Sequence, residues 1–220
     1  MHLLEAWTRL GPFGLASLLA LPLALLFATL LPGRAVSRAA AVIALFAVLV
    51  LHELTVPLWI RLAWAALWGV IAWQAGRADR DASAGPAPAR RRAFEAGAVA
   101  LPLGLALLAL MLAALSRQTF MADEAARRAS LGALLVGLSL LHLMMRRHVR
   151  RAIIAVGGMG VGLELLTASA RALDVAHEGP PAGSALCTTA MVLILMLRVA
   201  HGRERYAGSV FVSDAHELQD

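Results

Sequence analysis

A single carboxylate, Glu164, lies within an apolar segment long enough to cross a membrane. From Ala152 to Ala170 no other residue of the chain is charged. A carboxyl group in hydrocarbon costs roughly 2.5–3.5 kcal/mol on insertion scales, so a partner group or a functional role has to offset that cost. A carboxyl group shielded from lipid can hold and release a proton, and the sequence therefore points to proton or cation chemistry at Glu164.

The helical face that carries Glu164 is rich in small residues. At spacings of three, four and seven positions, that face includes Gly157, Gly160, Val161, Thr167, Ala168 and Arg171. Small residues let a second helix approach closely, so we expect another helix to cover the carboxyl group. The alternative is a structural carboxyl group that is protonated or hydrogen-bonded to that helix. The glycine run also suggests a nucleotide-binding loop, but no strand precedes it, so we expect close helix packing.

Five further residues are candidates for a proton path with Glu164. His52 and Glu53 lie a few residues before Pro57, where Glu53 could instead form a surface pair with Arg61. His142 lies one turn before Arg146, and a histidine there is more often a packed, hydrogen-bonded residue than a relay. The remaining candidates are the hydroxyl groups of Thr188 and Thr189.

The residue types exclude several kinds of chemistry. The seven histidines are scattered and there is one cysteine, so we expect no metal site. No nucleophile–base pair, phosphate-binding loop or haem-ligand pattern is present, and we expect neither a cofactor nor catalysis by this chain alone.

The composition places these residues in an integral membrane protein. Of the 220 residues, 60% are apolar and only 15% are charged, whereas soluble domains contain about 25% charged residues. The net charge of +6 could suggest nucleic-acid binding, but the arginines form short clusters beside apolar segments. Membrane topology explains such clusters better, so we expect no nucleic-acid partner. Among the arginines, Arg198 falls near the end of the last apolar segment, and its side chain is expected to extend toward the membrane surface.

Apolar segments of about 20 residues predict an all-α bundle of about seven membrane spans. A stretch at 39–76 is too long for one crossing and is expected to turn at 55–57, where Pro57 ends a helix. Polar loops are expected at 77–92, at 117–128 and at 172–183. The predicted spans are 12–31, 39–56, 58–76, 96–115, 131–145, 152–170 and 184–200.

The arginines also predict the orientation of these spans. With seven spans, fourteen arginines fall on one side of the membrane and six on the other. Cytoplasmic loops carry the excess of basic residues, so we expect the amino terminus outside and the carboxyl terminus in the cytoplasm. The short basic loop between the fifth and sixth spans contributes Arg146, Arg147, Arg150 and Arg151.

Residues 126–205 resemble a three-helix unit found in several ion-translocating complexes. The family comprises the K-type subunit of respiratory complex I, the C-type subunit of Mrp sodium/proton antiporters, and component E of hydrogenase-4 type complexes. The basic loop at 146–151 is similar to the family's loop, and Gly162-Leu163-Glu164-Leu165 is similar to its Gly-Leu/Ile-Glu-Leu motif. The segment 185–192 is similar to an antiporter-type third helix. The extra amino-terminal spans and the acidic tail most resemble component E.

The resemblance implies a division at 1–125, 126–205 and 206–220, with the last part a cytoplasmic tail. It implies a small subunit of such a complex in a bacterial cytoplasmic membrane, contributing Glu164 to proton or sodium translocation. Its partners would be larger antiporter-like and other membrane subunits, together with the lipid bilayer. The family carries a second acid in the third helix, where this chain has Thr188 and Thr189. A structural or assembly subunit without a direct role in ion transfer is therefore the alternative.

Overall fold

The chain forms an all-α structure in a computed structural model, which describes residues 12–30, 34–51, 54–77, 104, 106, 123–145, 149–172 and 180–207. Six helices of more than one turn lie within these ranges. They are α1 (Pro12–Leu30), α2 (Arg34–Val50), α3 (Leu58–Arg77), α4 (Asp123–Met145), α5 (Val149–Ala172) and α6 (Ser184–Ala207). The all-α class is confirmed. The predicted span at 96–115 lies outside the described residues, apart from Gly104 and Ala106.

Four of these helices are long and apolar enough to cross a membrane. The qualifying segments are Leu58–Ala75, Glu124–Met144, Ala152–Ala172 and Ser184–Gly202, in α3, α4, α5 and α6. Shorter apolar segments occupy Leu19–Thr29 in α1 and Ala35–Val50 in α2.

The apolar stretch at 39–76 is divided into two helices. α2 ends at Val50, and α3 begins at Leu58, directly after Pro57. The Arg61 guanidinium donates a hydrogen bond to the carbonyl oxygen of Leu54 and so closes the connection. The break at 55–57 predicted from the sequence is confirmed, although α2 begins five residues before the predicted span.

The start of α4 differs from the prediction. The sequence predicts a polar loop at 117–128 and a span from 131, whereas α4 begins at Asp123. One turn into the helix, Glu124 and Arg128 form an ion pair at the (i, i+4) spacing that stabilises a helix. The Ser169 hydroxyl of α5 also donates to the Ala125 carbonyl oxygen over 2.8 Å. These contacts extend the helix eight residues ahead of the predicted span.

Contacts between helices define two ends of the bundle. Ser169 binds Ala125, so α5 ends where α4 begins. Trp64 Nε1 donates to the Leu186 carbonyl oxygen over 3.0 Å, so α3 and α6 begin at the same end. We call the end at which α3, α4 and α6 begin the first end, and the opposite end the second end. Near the second end, Thr29 of α1 contacts His142 of α4. α1, α3, α4 and α6 therefore run in one direction, and α2 and α5 run in the other.

Helix α5 is the central element, and its glycines are the reason that neighbours approach it closely. A Cβ atom on Gly157 would meet the Trp68 ring of α3 at 2.6 Å, and one on Gly160 would meet Thr189 of α6 at 2.7 Å. A Cβ atom on Gly162 would meet the carbonyl oxygen of Gly132, in α4, at 2.8 Å. The expectation that the glycine run packs helices is confirmed.

Candidate functional site

Glu164 lies on α5 at the junction with the start of α6, and its side chain is completely buried. The neighbouring Val161, Leu165 and Ala168 are buried as well. On the side of the second end, Gly160 lets α6 approach α5. On the side of the first end, the 180–183 connection covers the carboxyl group. The small residues on this face bring α6 close to α5, as expected, but the carboxyl group itself is covered by the connection that leads into α6.

Within the described part of the chain, one carboxylate oxygen of Glu164 accepts both of the hydrogen bonds that the group makes. Arg171 Nη2 donates to Oε1 over 3.0 Å, and the backbone N–H of Gly183 donates to the same oxygen over 2.9 Å. Arg171 is two turns further along the same helix, and its side chain is 24% exposed. Its other terminal nitrogen, Nη1, donates to the Pro180 carbonyl oxygen over 3.1 Å. The guanidinium group thus joins Glu164 to the chain that leads into α6.

Gly183 is the residue that brings a backbone donor to the carboxylate. Its φ of +90° lies in the left-handed region, which glycine adopts without steric cost. A Cβ atom at this position would also collide with Cδ1 of Ile60. The Gly183 carbonyl oxygen accepts the first α6 bond, from the Cys187 N–H over 2.9 Å, so Gly183 is the N-cap residue. Because a helix N-terminus carries partial positive charge, Glu164 supplies both an acceptor and a favourable negative charge there.

The second carboxylate oxygen, Oε2, is buried and has no hydrogen-bond partner among the described residues. A buried polar atom left unsatisfied costs about 1–3 kcal/mol, and more where the group is charged. Trp68 Nε1 and Ser139 Oγ are also buried without a partner among the described residues, so the informative feature is the difference between the two oxygens of one carboxylate. The two oxygens of Glu164 are thus unequal, one doubly bonded and one without a protein donor.

His142 is also fully buried, near the second end of the bundle. Its Nδ1 lies 2.9 Å from the Thr29 hydroxyl oxygen, and that hydroxyl donates to the Leu25 carbonyl oxygen over 2.7 Å. The hydroxyl proton is therefore committed, so we assign the Nδ1 proton as the donor to Thr29. His142 follows Gly132, which faces Gly162, by ten residues, or about 15 Å along the helix axis. That separation is too great for direct proton transfer to Glu164.

The two threonines of α6 point in different directions. Thr189 is buried against Gly160, one turn from Glu164, and its hydroxyl donates to the Ala185 carbonyl oxygen over 2.6 Å. Thr188 is exposed, and its hydroxyl donates to the Ser184 carbonyl oxygen over 2.9 Å. Of the two, only Thr189 lies on the α5 side of the helix.

The other candidates from the sequence fall partly outside the described residues. His52 and Glu53 lie outside them, and the pairing of Glu53 with Arg61 stays a prediction. Arg146 and Arg147 lie outside as well, while Arg150 and Arg151 occupy the first turn of α5 without a described side-chain position. Within the described ranges, no three His, Cys, Asp or Glu side chains come together as metal ligands would.

Neither donor to Glu164 is predicted from the sequence. Arg171 shares the helical face of Glu164, but the sequence analysis assigns it only to the arginines of one membrane side. Its spacing of seven residues from the one acid of the 152–170 segment is the available signal. No comparable signal marked Gly183, because its contact depends on the path of the loop. Comparison with protein-family models, with curated proteins and with solved structures found no match to this chain.

Proposed function

We propose that this chain is a small multi-pass subunit of a membrane complex related to complex I, membrane hydrogenases or Mrp antiporters, in a bacterial cytoplasmic membrane. In this proposal it contributes Glu164 to a proton or sodium path between larger subunits. The oxidoreductase or antiporter chemistry belongs to other chains, and this chain binds no cofactor.

The directions of the helices support the seven-span topology. α3 and α4 both begin at the first end of the bundle, so the chain has to return from the second end to the first between Arg77 and Asp123. An odd number of crossings between α3 and α4 satisfies this requirement, and the apolar segment 96–115 supplies one. The arginine excess supports a cytoplasmic location of the second end.

The packing of α4, α5 and α6 supports a three-helix unit at 126–205. α5 runs antiparallel to both neighbours and contacts each through glycine, with Gly162 on α4 and Gly160 on α6. The acid of the Gly-Leu-Glu-Leu segment faces inward, as an ion-translocating carboxylate requires.

One observation carries the ion-path role: Oε2 of Glu164 is buried without a protein donor among the described residues. A carboxylate serving only to hold the α5–α6 connection needs Oε1 alone, and its unpaired oxygen would be better satisfied in water. A proton or a cation would satisfy Oε2 in place. The Arg171 guanidinium already contacts a second acceptor, the Pro180 carbonyl oxygen. We therefore propose two states, one with Glu164 ionised and bound to Arg171, and one with Glu164 protonated while Arg171 is held by Pro180.

A structural role is the second candidate, and the double bonding of Oε1 favours it. Arg171 and Gly183 together fix the loop and the start of α6 to α5. In addition, α6 supplies no second carboxylate between 184 and 202. In the ion-path proposal, the missing acid has to come from Glu53 or a neighbouring subunit, because His142 is too distant.

The variant Glu164→Gln in the intact complex distinguishes the two roles. We expect proton or sodium transport in sealed vesicles to be lost while the complex assembles normally, since the amide can accept from Gly183 but cannot release a proton. Glu164→Asp should retain part of the transport. Glu124→Gln is the matched control, because Glu124 is a 61% exposed acid at the same end of the bundle. Unchanged transport in assembled Glu164→Gln complex would refute the ion path, and lost assembly would favour the structural role.

Membership in a complex is tested separately. We expect a tagged full-length chain, extracted from its native membrane with mild detergent, to co-purify with antiporter-like membrane proteins. Genes flanking that of this chain should encode such proteins. A chain that purifies alone, in stable form, would contradict both subunit roles.

A further inference from the structure

A groove at the second end of the bundle, between α3 and α6, combines an apolar floor with basic side chains at one end. Its volume is about 520 Å³. The apolar lining includes Leu67 and Val70 of α3 and Ile194 of α6. Gln74, Arg198 and His201 line the same groove.

The polar and apolar residues are separated along the membrane axis. α3 and α6 run in the same direction, as the contact between Trp64 and Leu186 near their starts shows. On each helix the polar residue follows the apolar one by a turn, Gln74 after Val70 and Arg198 after Ile194. Four residues correspond to about 6 Å along the helix axis. The groove therefore changes from apolar to polar in the direction that leads out of the membrane.

No ion pair neutralises the charge at the polar end among the side chains that the structure describes. Arg198 and His201 are exposed, and neither pairs with a described carboxylate side chain; the side chain of Glu204 lies outside that set. Arg198 lies four residues inside the end of the membrane-spanning segment Ser184–Gly202. The planar guanidinium group donates two parallel hydrogen bonds to a phosphate. An anion at the headgroup level would therefore relieve an arginine held close to hydrocarbon.

The groove opens toward the outside of the bundle. Only 17% of the α6 membrane segment is buried, compared with 67% for α5. Val70 and Ile194 are 42% and 49% exposed. Gly104, the one described glycine of the predicted fourth span, faces Leu26 of α1 and Leu138 and Leu141 of α4. Gly104 therefore lies away from the groove.

We propose that this groove binds an anionic phospholipid, with an acyl chain along Leu67, Val70 and Ile194 and the phosphate between Arg198 and His201. A soluble phosphate would leave the apolar floor uncovered. A protein helix packed on the floor would have to bury the Arg198 charge. An anionic lipid matches both halves of the groove, and basic pockets between membrane helices bind such headgroups. The proposal depends on α3 and α6 spanning a membrane, and it is independent of any role of Glu164.

The experiment uses the full chain in its native membranes. Membranes are fused with vesicles that carry traces of phosphatidylglycerol or phosphatidylcholine with the same photoactivatable acyl chain. After irradiation, the chain is purified under denaturing conditions and the lipid adducts are mapped. We expect adducts on the α3 and α6 groove segments to form about tenfold more with phosphatidylglycerol, as one strong charged contact implies. Excess inorganic phosphate should not remove this preference.

Three variants test the role of Arg198. Arg198→Gln should reduce the ratio of phosphatidylglycerol adducts to phosphatidylcholine adducts to nearly one. Arg198→Lys should keep part of this preference because the charge remains. Arg38→Gln is the matched control, since Arg38 is an exposed arginine near the second end, on α2. Four results would each overturn the proposal. They are equal labelling by both lipids, equal effects of Arg198→Gln and Arg38→Gln, competition by free phosphate, and crosslinking of Ile194 to another protein.

Discussion

Removing Arg171 should destabilise the protein by leaving the Glu164 carboxylate buried with a single donor. Loss of one partner of a buried ion pair costs about 3–5 kcal/mol. Because the Arg171 side chain is 24% exposed, water already reaches it in part, and we expect the lower value of about 3 kcal/mol for Arg171→Gln. At about 2–4 °C per kcal/mol for a chain of this length, the unfolding temperature should fall by about 6–12 °C.

The double variant separates loss of the ion pair from loss of packing. Arg171→Gln combined with Glu164→Gln removes the buried charge together with its partner, while the amide can still accept from Gly183. We expect a coupling free energy of about 1–3 kcal/mol, with the double variant more stable than Arg171→Gln alone. The bond from Arg171 to Pro180 is lost in both backgrounds and therefore cancels in the cycle.

A heat-challenge series on native membranes measures these shifts without removing partner chains. After each temperature step, the fraction of tagged chain that mild detergent still extracts is determined. Arg38→Gln is the control and should change stability by less than about 0.5 kcal/mol, because Arg38 is exposed. If the effects of the two single variants simply add, the bond between Glu164 and Arg171 contributes nothing and the reasoning is wrong.

Three further changes test the packing around this site by the same heat challenge. Gly162→Ala should cost about 1–3 kcal/mol, because the new Cβ atom would lie 2.8 Å from a backbone oxygen of α4; wild-type stability would refute the close contact. Gly183→Ala should cost about 1–3 kcal/mol, from the left-handed φ and the collision with Ile60, and an unchanged profile would contradict that backbone conformation. Trp64→Phe should cost about 1 kcal/mol by removing the hydrogen bond to Leu186, whereas a cost near zero would mean that this bond does not connect α3 to α6.

Hydropathy predicted the elements of this fold well where a segment contains a uniform run of apolar residues. The predicted spans at 58–76 and 152–170 match α3 and α5 closely, because their ends coincide with Pro57 and with arginine clusters. α4 begins eight residues before the predicted span, because the charged residues at 123–128 are predicted to form a loop whereas Glu124 and Arg128 pair along the helix.

The site could be predicted only to the level of one side chain. The cost of an acid in hydrocarbon identified Glu164, and small residues on its face indicated that it would be covered. Its donors come from the end of α5 and from a loop, so finding them required the path of residues 180–183. The separation of His142 from Glu164 likewise follows from the register between α4 and α5, which Gly132 and Gly162 set and which hydropathy does not encode.

The glycines of α5 have a consequence for how the protein can move. They sit at 157, 158, 160 and 162, and each accepts a different neighbour: the Trp68 ring, Leu25 and Ser139, Thr189, and the Gly132 backbone. A rotation of α5 about its own axis would press a side chain into several of these neighbours at once. α5 is therefore held in one orientation, and any change between conformations has to come from the helices around it. α6 is the least enclosed of the four long helices, so its start at Gly183 is where displacement would alter the surroundings of Glu164 first.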